Sequence, residues 1–353
     1  MSNLDTTSEG LGMRSAAGPV PDTKSAVDGV WTVRKELPIW LAVVCGLGLL
    51  VFLLSGQFFY LNLLTVALLF GGLAVSWNII GGYGGQFSIA HSVFFAIGAY
   101  TAGNLFKHFD VSPWISLIPA MVLSAGIAAL VSWPVFRLKG PFFAIATMAL
   151  TEVAIAFAMH FDLITGGASG LTVPYRAGLE NMIFQARWAY AVLFLGYLAA
   201  ALAVSVFIYR SRLGFYLQAV RDNENAAEAS GINVLGTKLK GMAISAALTG
   251  AGGVFYMMYV RIVEPAGLLS LFDVGVKIAL IALIGGIGTI YGPLLGALLL
   301  IPLDYWLRAF VGSAVPGGNL MVLALILILG ALFMKRGIFG ALKQAVDVAW
   351  RRQ

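Results

Sequence analysis

The apolar residues of this chain fall into long uninterrupted blocks, and nothing else in the sequence narrows the fold as far. Each block runs for roughly 17 to 25 residues, the length of helix that crosses about 30 Å of hydrocarbon. The blocks are continuously apolar, not alternating with period two, so a β-barrel is excluded. Of the 353 residues, 60% are hydrophobic and only 11% charged. A soluble domain carries about 25% charged residues, which excludes an ordinary water-soluble enzyme. The pattern predicts an all-α polytopic membrane protein with about 8–10 transmembrane helices, some of them broken at glycines.

Ten spans are read near 37–54, 61–80, 87–106, 114–136, 141–160, 189–209, 241–260, 274–287, 291–307 and 319–334. The eighth is short and ends in glycines, which points to a broken or re-entrant helix. Such backbone is tolerated at membrane depth only where it is buried in protein or lines a cavity. Residues 1–35 are rich in Gly, Ser, Thr and Asp, show no apolar periodicity and read as a disordered tail. Their mixed composition does not suit a cleavable signal peptide. The membrane domain is then 36–336, with a long polar loop at 210–240 and a C-terminal tail at 337–353.

With the N-terminus placed inside, sixteen of the 22 Lys and Arg residues fall in inner segments and five in outer ones, while Lys277 sits near the start of a span. That asymmetry puts both termini in the cytoplasm. It also absorbs the net charge of +6, so no nucleic-acid partner is indicated. The single cysteine, Cys45, lies in the first apolar block and supports neither a disulfide framework nor a thiolate metal site.

Glycine-rich turns, Gly81-Gly82-Tyr83-Gly84 and Gly285-Gly286-Ile287-Gly288, both fall at inner turns between a descending and a returning span. The returning spans carry small residues around Gly98-Ala99 and Gly296-Ala297. A parallel internal repeat and independent glycine turns both account for this. Neither turn fits a dinucleotide fingerprint, which fails at Phe87.

The polar loop contains a compact helix with legible ends. Asp222 or Asn223 can cap its N-terminus, Glu224 suits the first-turn dipole, and Gly231 suits the left-handed position after its C-terminus. Ala226, Ala227 and Ala229 between them predict a narrow, smooth face, suited either to solvent or to a groove in a partner protein. Gly231-x4-Gly236-Thr237-Lys238 misses the phosphate-binding loop pattern, because Thr precedes Lys here and follows it there. Any ATP hydrolysis must come from a partner.

Asn225-Ala226-Ala227-Glu228-Ala229-Ser230-Gly231 resembles the coupling loop of ABC importer permeases. The longer stretch from Gly214 to Val234, the run from Gly84 to Thr101, and Ile284 to Ala297 resemble LivM-type branched-chain amino acid permeases, in family order. The resemblance implies one membrane subunit of an ATP-driven importer in a bacterial inner membrane. It implies a LivH-type sister permease, two cytoplasmic ATPase subunits that bind ATP-Mg, and a periplasmic solute-binding protein. This chain itself would bind no cofactor and no metal. In that reading Arg221, Asp222, Glu224, Ala226, Ala227 and Gly231 couple to the ATPase. The sequence departs from the pattern at Asn225, where a Glu is usual, and at Met334-Lys335-Arg336-Gly337, which lacks the usual proline. It also departs at Asp273 and Lys277, two charges where neutral residues are usual.

Several polar residues near the spans bear on transport. Gln86, Ser88 and His91 enter a span just after the first glycine turn. Ser88 and His91, three apart, are expected to share a helix face, lining the pathway or bracing the turn. Gly285, Gly286 and Gly288 are candidate pathway residues beside them. Glu152 is costly against lipid and is expected to face the bundle interior, as a hydrogen-bonding group or a gate. Asp273 and Lys277, like Asp304 and Arg308, are four apart with the acid first, a spacing worth about 0.2–0.5 kcal/mol per pair in a helix. They serve as intrahelical pairs near the outer surface, or as an outer mouth that meets the binding protein or a zwitterionic substrate. His91, His108 and His160 lack ligand spacing, and no HExxH, GxSxG or paired intramembrane aspartate occurs, so an intramembrane enzyme is not indicated. The expected function is import of branched-chain or related amino acids. Alternatives are a urea or short-amide permease, and a stand-alone secondary transporter with Glu152 as its only candidate coupling-ion site.

Overall fold

The computed structural model describes residues 29–138, 140–310, 318, 321–322, 325 and 337–340. Most of the tenth expected span, the tail before residue 29 and most of the C-terminal tail lie outside the described residues. Among the described residues, eight helical stretches are long and apolar enough to cross a membrane. They are Glu36–Leu53, within α1 (Gly29–Leu53), and α2 (Phe58–Asn78) continuing through a π-helical turn to Tyr83. Next come α4 (Pro113–Val135), α5 (Pro141–His160) and α6 (Arg187–Arg210). The last three are α9 (Val234–Val260), a broken stretch ending in α10 (Lys277–Gly286), and α11 (Gly292–Phe310). Helix α1 begins at Gly29, inside the segment expected to be a disordered tail. A composition rule averages over that segment and misses the Trp31–Glu36 continuation of the apolar helix.

The third expected span is α3 (His91–Phe109), which starts four residues later than read. Residues 84–90 are non-helical between the π-turn and α3. Helix α3 also carries Asn104, Lys107 and His108, which leaves it less apolar than the others, and it is largely buried. A helix of this kind survives in a membrane protein by packing inside it.

Helix α9 sits at the centre, against α3, α4 and α2. The α4 stripe that meets the bundle is Ser116, Ala120, Ser124, Ala128 and Ser132, all buried at four-residue intervals. Small residues on such a stripe let membrane helices approach closely, because lipid provides no hydrophobic push. The crossing is tightest at Gly98 and Gly250: a Cβ on Gly98 would collide with the Gly250 carbonyl, and one on Gly250 with Ser124. Ser124 Oγ donates to the Phe94 carbonyl at 3.2 Å across the same crossing. Elsewhere α2 packs on α6 and α11, and α10 folds back on α11. A two-stranded antiparallel ladder, β1 (Leu171–Thr172) with β2 (Ile262–Val263), ties the α5–α6 connection to the end of α9. Helices α1, α4 and α5 keep broad exposed faces, including Phe52, Leu130 and Phe142.

Candidate functional site

The loop after α6 holds two helices, one more than the sequence suggested. Ser211 caps α7 (Arg212–Asp222) by accepting from Gly214 N at 3.4 Å, and Gly214, Leu217 and Val220 bury one face of it. The cap and the Leu213, Leu217, Val220 spacing were readable signals. The chain then turns at extended Asn223 into α8 (Glu224–Ala229). Of the two expected caps, Asp222 closes α7, and Asn223 Oδ1 accepts from Ala226 N at 3.1 Å. The far end of α8 is a Schellman motif: Ile232 N donates to the Ala227 carbonyl at 3.0 Å and Gly231 N to the Glu228 carbonyl at 2.9 Å. Gly231 has φ +82°, and a Cβ there would meet nothing within 4 Å. Backbone conformation alone requires glycine at this position.

The smooth face of α8 needs correction. Ala227 is buried against the protein itself, whereas Asn225, Ala226 and Ala229 face outward. Six helical residues carry too little periodicity to show which alanine turns inward.

Two side chains fasten this loop to the bundle. Glu224 pairs with Lys238, which is buried with 2% of its side chain exposed and lies 5.8 Å from the Phe136 ring centre. Asn233 caps α9 by accepting from Gly236 N at 2.8 Å. The helix therefore begins before the expected span and takes Lys238 into its second turn. Nothing in the sequence marked that pairing. On the other side, Arg221 Nη1 donates to the Gly82 carbonyl at 3.1 Å.

Gly82 belongs to a junction of both glycine turns. Asn78 Nδ2 donates to the Thr289 carbonyl at 2.8 Å, and its Oδ1 accepts from Gly288 N at 2.8 Å. One amide side chain thus fastens the second turn to the first. Gly288 has φ +76°, and a Cβ on Gly82 would meet Asn78 and, at 2.7 Å, the Gly288 nitrogen. Gly337 packs its backbone on Gly286, and Gly285 lies against Gly292 and Gly296. Gly285, Gly286 and Gly288 therefore close the junction by backbone contact, because glycine lets two chains fill space that a pathway would need.

Near the junction, Gln86 Nε2 donates to the Gly84 carbonyl at 3.3 Å. Ser88 is not on a helix and shares no helical face with His91, because it lies in the non-helical segment. Its carbonyl there accepts from Trp77 Nε1 at 2.6 Å. The next residue, Ile89, donates its N–H to Thr147 Oγ1 at 3.1 Å. His91 opens α3, fully buried, with Nε2 at 2.8 Å from Ser245 Oγ. Ser245 gives its own proton to the Ser76 carbonyl at 2.7 Å, so Nε2–H donates and Nδ1 is the bare nitrogen. This chain links α3, α9 and α2. Nδ1, Ser88 Oγ and Ser92 Oγ have no hydrogen-bond partner among the described residues.

Glu152 does not face the bundle. Helix α5 meets its neighbours through Phe143, Thr147, Thr151 and Ala158, and Glu152 lies on the exposed face beside Val153. An apolar run on both flanks does not reveal which face of a helix turns inward.

Asp273 in the turn before α10, Lys277 at its start, and Asp304 and Arg308 on α11 form one charged cluster. Lys277 Nζ reaches Asp304 at 2.8 Å and Arg308 Nη2 reaches Asp273 at 2.6 Å. The intrahelical contacts are longer, 3.9 Å for Lys277–Asp273 and 3.1 Å for Arg308–Asp304. Sequence spacing sees only same-helix neighbours, so the stronger cross-helix pairs were invisible. Asp304 is buried and Lys277 nearly so, while Asp273 and Arg308 are half-exposed. The cluster lines a cavity of about 480 Å³ with Asn62, Tyr256, Tyr259 and Tyr305. Helix α10 has ten residues from Lys277 to Gly286, so Lys277 stands about 14 Å of helix rise from the junction. Among the described residues, no group of three or more His, Cys, Asp or Glu side chains could hold a metal ion.

Comparison with known proteins bears on this arrangement. The LivM high-affinity branched-chain amino acid permease protein of Escherichia coli K12 is 28% identical over 339 residues, covering 89% of this chain and 78% of the relative. A probable LivM protein of Methanocaldococcus jannaschii is 29% identical over 192 residues, 52% of this chain and 53% of the relative. The LivH permease protein of Salmonella typhimurium is 24% identical, covering 81% of this chain and 98% of the relative. No solved structure matches. Residues 59–332 match the family described as the permease component of the branched-chain amino acid transport system. That match spans the glycine junction, the α7–α8 loop and the charged cluster, and the chain belongs to this family of multi-pass transport permeases, of the LivM type.

Proposed function

We propose that this chain is one of two permease subunits in an ATP-driven importer of branched-chain amino acids. A LivH-type sister permease would complete the membrane part, and two ATPase subunits would bind ATP-Mg on the cytoplasmic side of a bacterial inner membrane. A periplasmic solute-binding protein would deliver the substrate, and both termini of the chain would be cytoplasmic. The observation that carries the reading is α8: a capped six-residue helix with small residues outward, tied to the bundle by Glu224 at its start and by Arg221 just before it.

The geometry suggests how movement would pass inward. An ATPase groove takes the Asn225, Ala226 and Ala229 face. When the ATPases close, α8 and α7 shift together, and Glu224 carries the shift to Lys238 at the foot of α9. Arg221 carries it to Gly82, and through Asn78 to the second glycine turn. ATP and loaded binding protein must favour different arrangements of that junction, since a ligand shifts an equilibrium only by its differential affinity. The relatives' names support branched-chain amino acids over urea. The exposed position of Glu152 weighs against its serving as a secondary transporter's ion site.

The test is a pull-down of the tagged chain from mild detergent, followed by mass spectrometry. Recovery of two ATPases and a sister permease is the expected result. Recovery of the chain alone, under conditions that preserve known complexes, would overturn the reading.

A further inference from the structure

We propose that the cavity between α2, α9, α11 and the start of α10 is a transit site for a zwitterionic amino acid, with the four-charge cluster binding its ammonium and carboxylate. This inference deepens the importer reading and rests on it for the substrate class.

The cluster consists of two carboxylates and two cations, so it is neutral as a unit, as the free amino acid is. Its burial is the first argument. Lys277 and Asp304 are largely buried on stretches long and apolar enough to cross a membrane, where ionisable side chains are rare and by default mark a substrate or ion path. A buried ion pair is a poor way to join two helices, because apolar residues of similar volume usually hold them as well or better. Helices α10 and α11 already meet tightly at Gly285, Gly292 and Gly296 without it.

The second argument is the space beside the charges. At about 480 Å³ the cavity lies within the ~300–1,000 Å³ typical of small-ligand sites. Its lining combines the charges with Val66, Phe70 and Ile301, which suits a polar head joined to an aliphatic side chain. Lys277 Nζ lies 5.6 Å from the Phe70 ring centre, so the two surfaces adjoin.

The third argument is exchange. The pairs are graded, with Lys277–Asp304 inside and Arg308–Asp273 half-exposed. An arriving carboxylate replaces Asp273 on Arg308, and the freed Asp273 accepts the ammonium. The same swap at Lys277 and Asp304 draws the substrate deeper. Every charge keeps an opposite partner throughout, which avoids the cost of a bare ion in a low dielectric. Such a site holds its substrate weakly, as a passage requires.

The experiment is photolabelling of the full chain in washed membranes with L-leucine bearing a side-chain diazirine, followed by peptide mass spectrometry. The expected adducts fall on peptides with Tyr256, Tyr259 or Tyr305. Excess L-leucine should compete for them, and 4-methylpentanoate, which lacks the ammonium, should not. Asp304→Asn and Lys277→Gln should each cut labelling about tenfold or more, the effect of losing a charge-assisted hydrogen bond. A charge-swapped Lys277→Asp/Asp304→Lys chain distinguishes a brace from a site. It should elute as a folded species yet stay unlabelled. Labelling restored by the swap, adducts elsewhere, or equal competition by 4-methylpentanoate would overturn the proposal. Recovery of ATPases in the pull-down without tyrosine adducts overturns the transit site alone. Adducts without ATPases overturn the importer reading alone.

Discussion

The two ends of α10 hold their neighbours in opposite ways. At Gly286 the contacts are backbone on backbone: Gly82 against Gly288, Gly337 against Gly286, with Asn78 and Arg221 bonding to main-chain atoms. At Lys277 the contacts are side chain to side chain, four charges beside a cavity. Backbone contacts have no alternative partners, so that end is suited to shifting as a unit. Charged side chains can trade one partner for another, so this end is suited to receiving a ligand. On the proposed reading, motion and binding are separated along ten residues of one helix.

The largest effect that would break this comparison is at the charged end. Lys277→Met leaves the buried Asp304 with only the half-exposed Arg308 as its partner and should cost stability, somewhat less than the ~3–5 kcal/mol of a fully unpaired buried charge, while Lys277→Met/Asp304→Leu should recover most of it. Thermal unfolding in detergent measures both. A double variant as unstable as the single would make the charges a structural brace.

At the junction, Gly288→Val places a β-branched residue at φ +76° and against Gly82. Strain of about 1–2 kcal/mol and overpacking of about 1–3 kcal/mol should abolish uptake. Uptake at half the parent rate or more would show that the junction is looser than its contacts imply.

A smaller effect sharpens the division. Arg221→Ala removes the bond to the Gly82 carbonyl without touching the outward face of α8. ATPase co-purification should persist while uptake falls several-fold. A loss of co-purification in step with uptake would assign Arg221 to docking.

The smallest effect is at Glu152, which belongs to neither end. Glu152→Gln should leave uptake within about twofold, because the residue faces away from the bundle. A collapse of uptake would reinstate Glu152 as a coupling-ion site.

The fold was legible where hydropathy decides it. The spans in α2, α4, α5, α6 and α11 were located to within a few residues, since about 30 Å of hydrocarbon admits little freedom in their length. What escaped depends on partners distant in the chain. The Ser88 segment is held open by Trp77 and Thr147, and no local pattern announces those bonds. The caps on α8 were legible because Asn223 and Gly231 act on their own backbone. The inward turn of Ala227 and the Glu224–Lys238 pair were not, because they depend on how the loop lies against α9. Likewise the four-residue spacing of Asp273 and Lys277 concealed that the shorter bonds cross to α11.

The most direct test of the central claim, that α8 presents one face to an ATPase, uses cysteine cross-linking. Cys45 is the only cysteine, so Cys45→Ser provides a clean background. Single substitutions Ala226→Cys, Ala227→Cys and Ala229→Cys are then treated with a short thiol-to-amine cross-linker in membranes. The account predicts ATPase adducts from positions 226 and 229 and none from 227. Equal adducts from all three positions, or adducts from 227 alone, would contradict it.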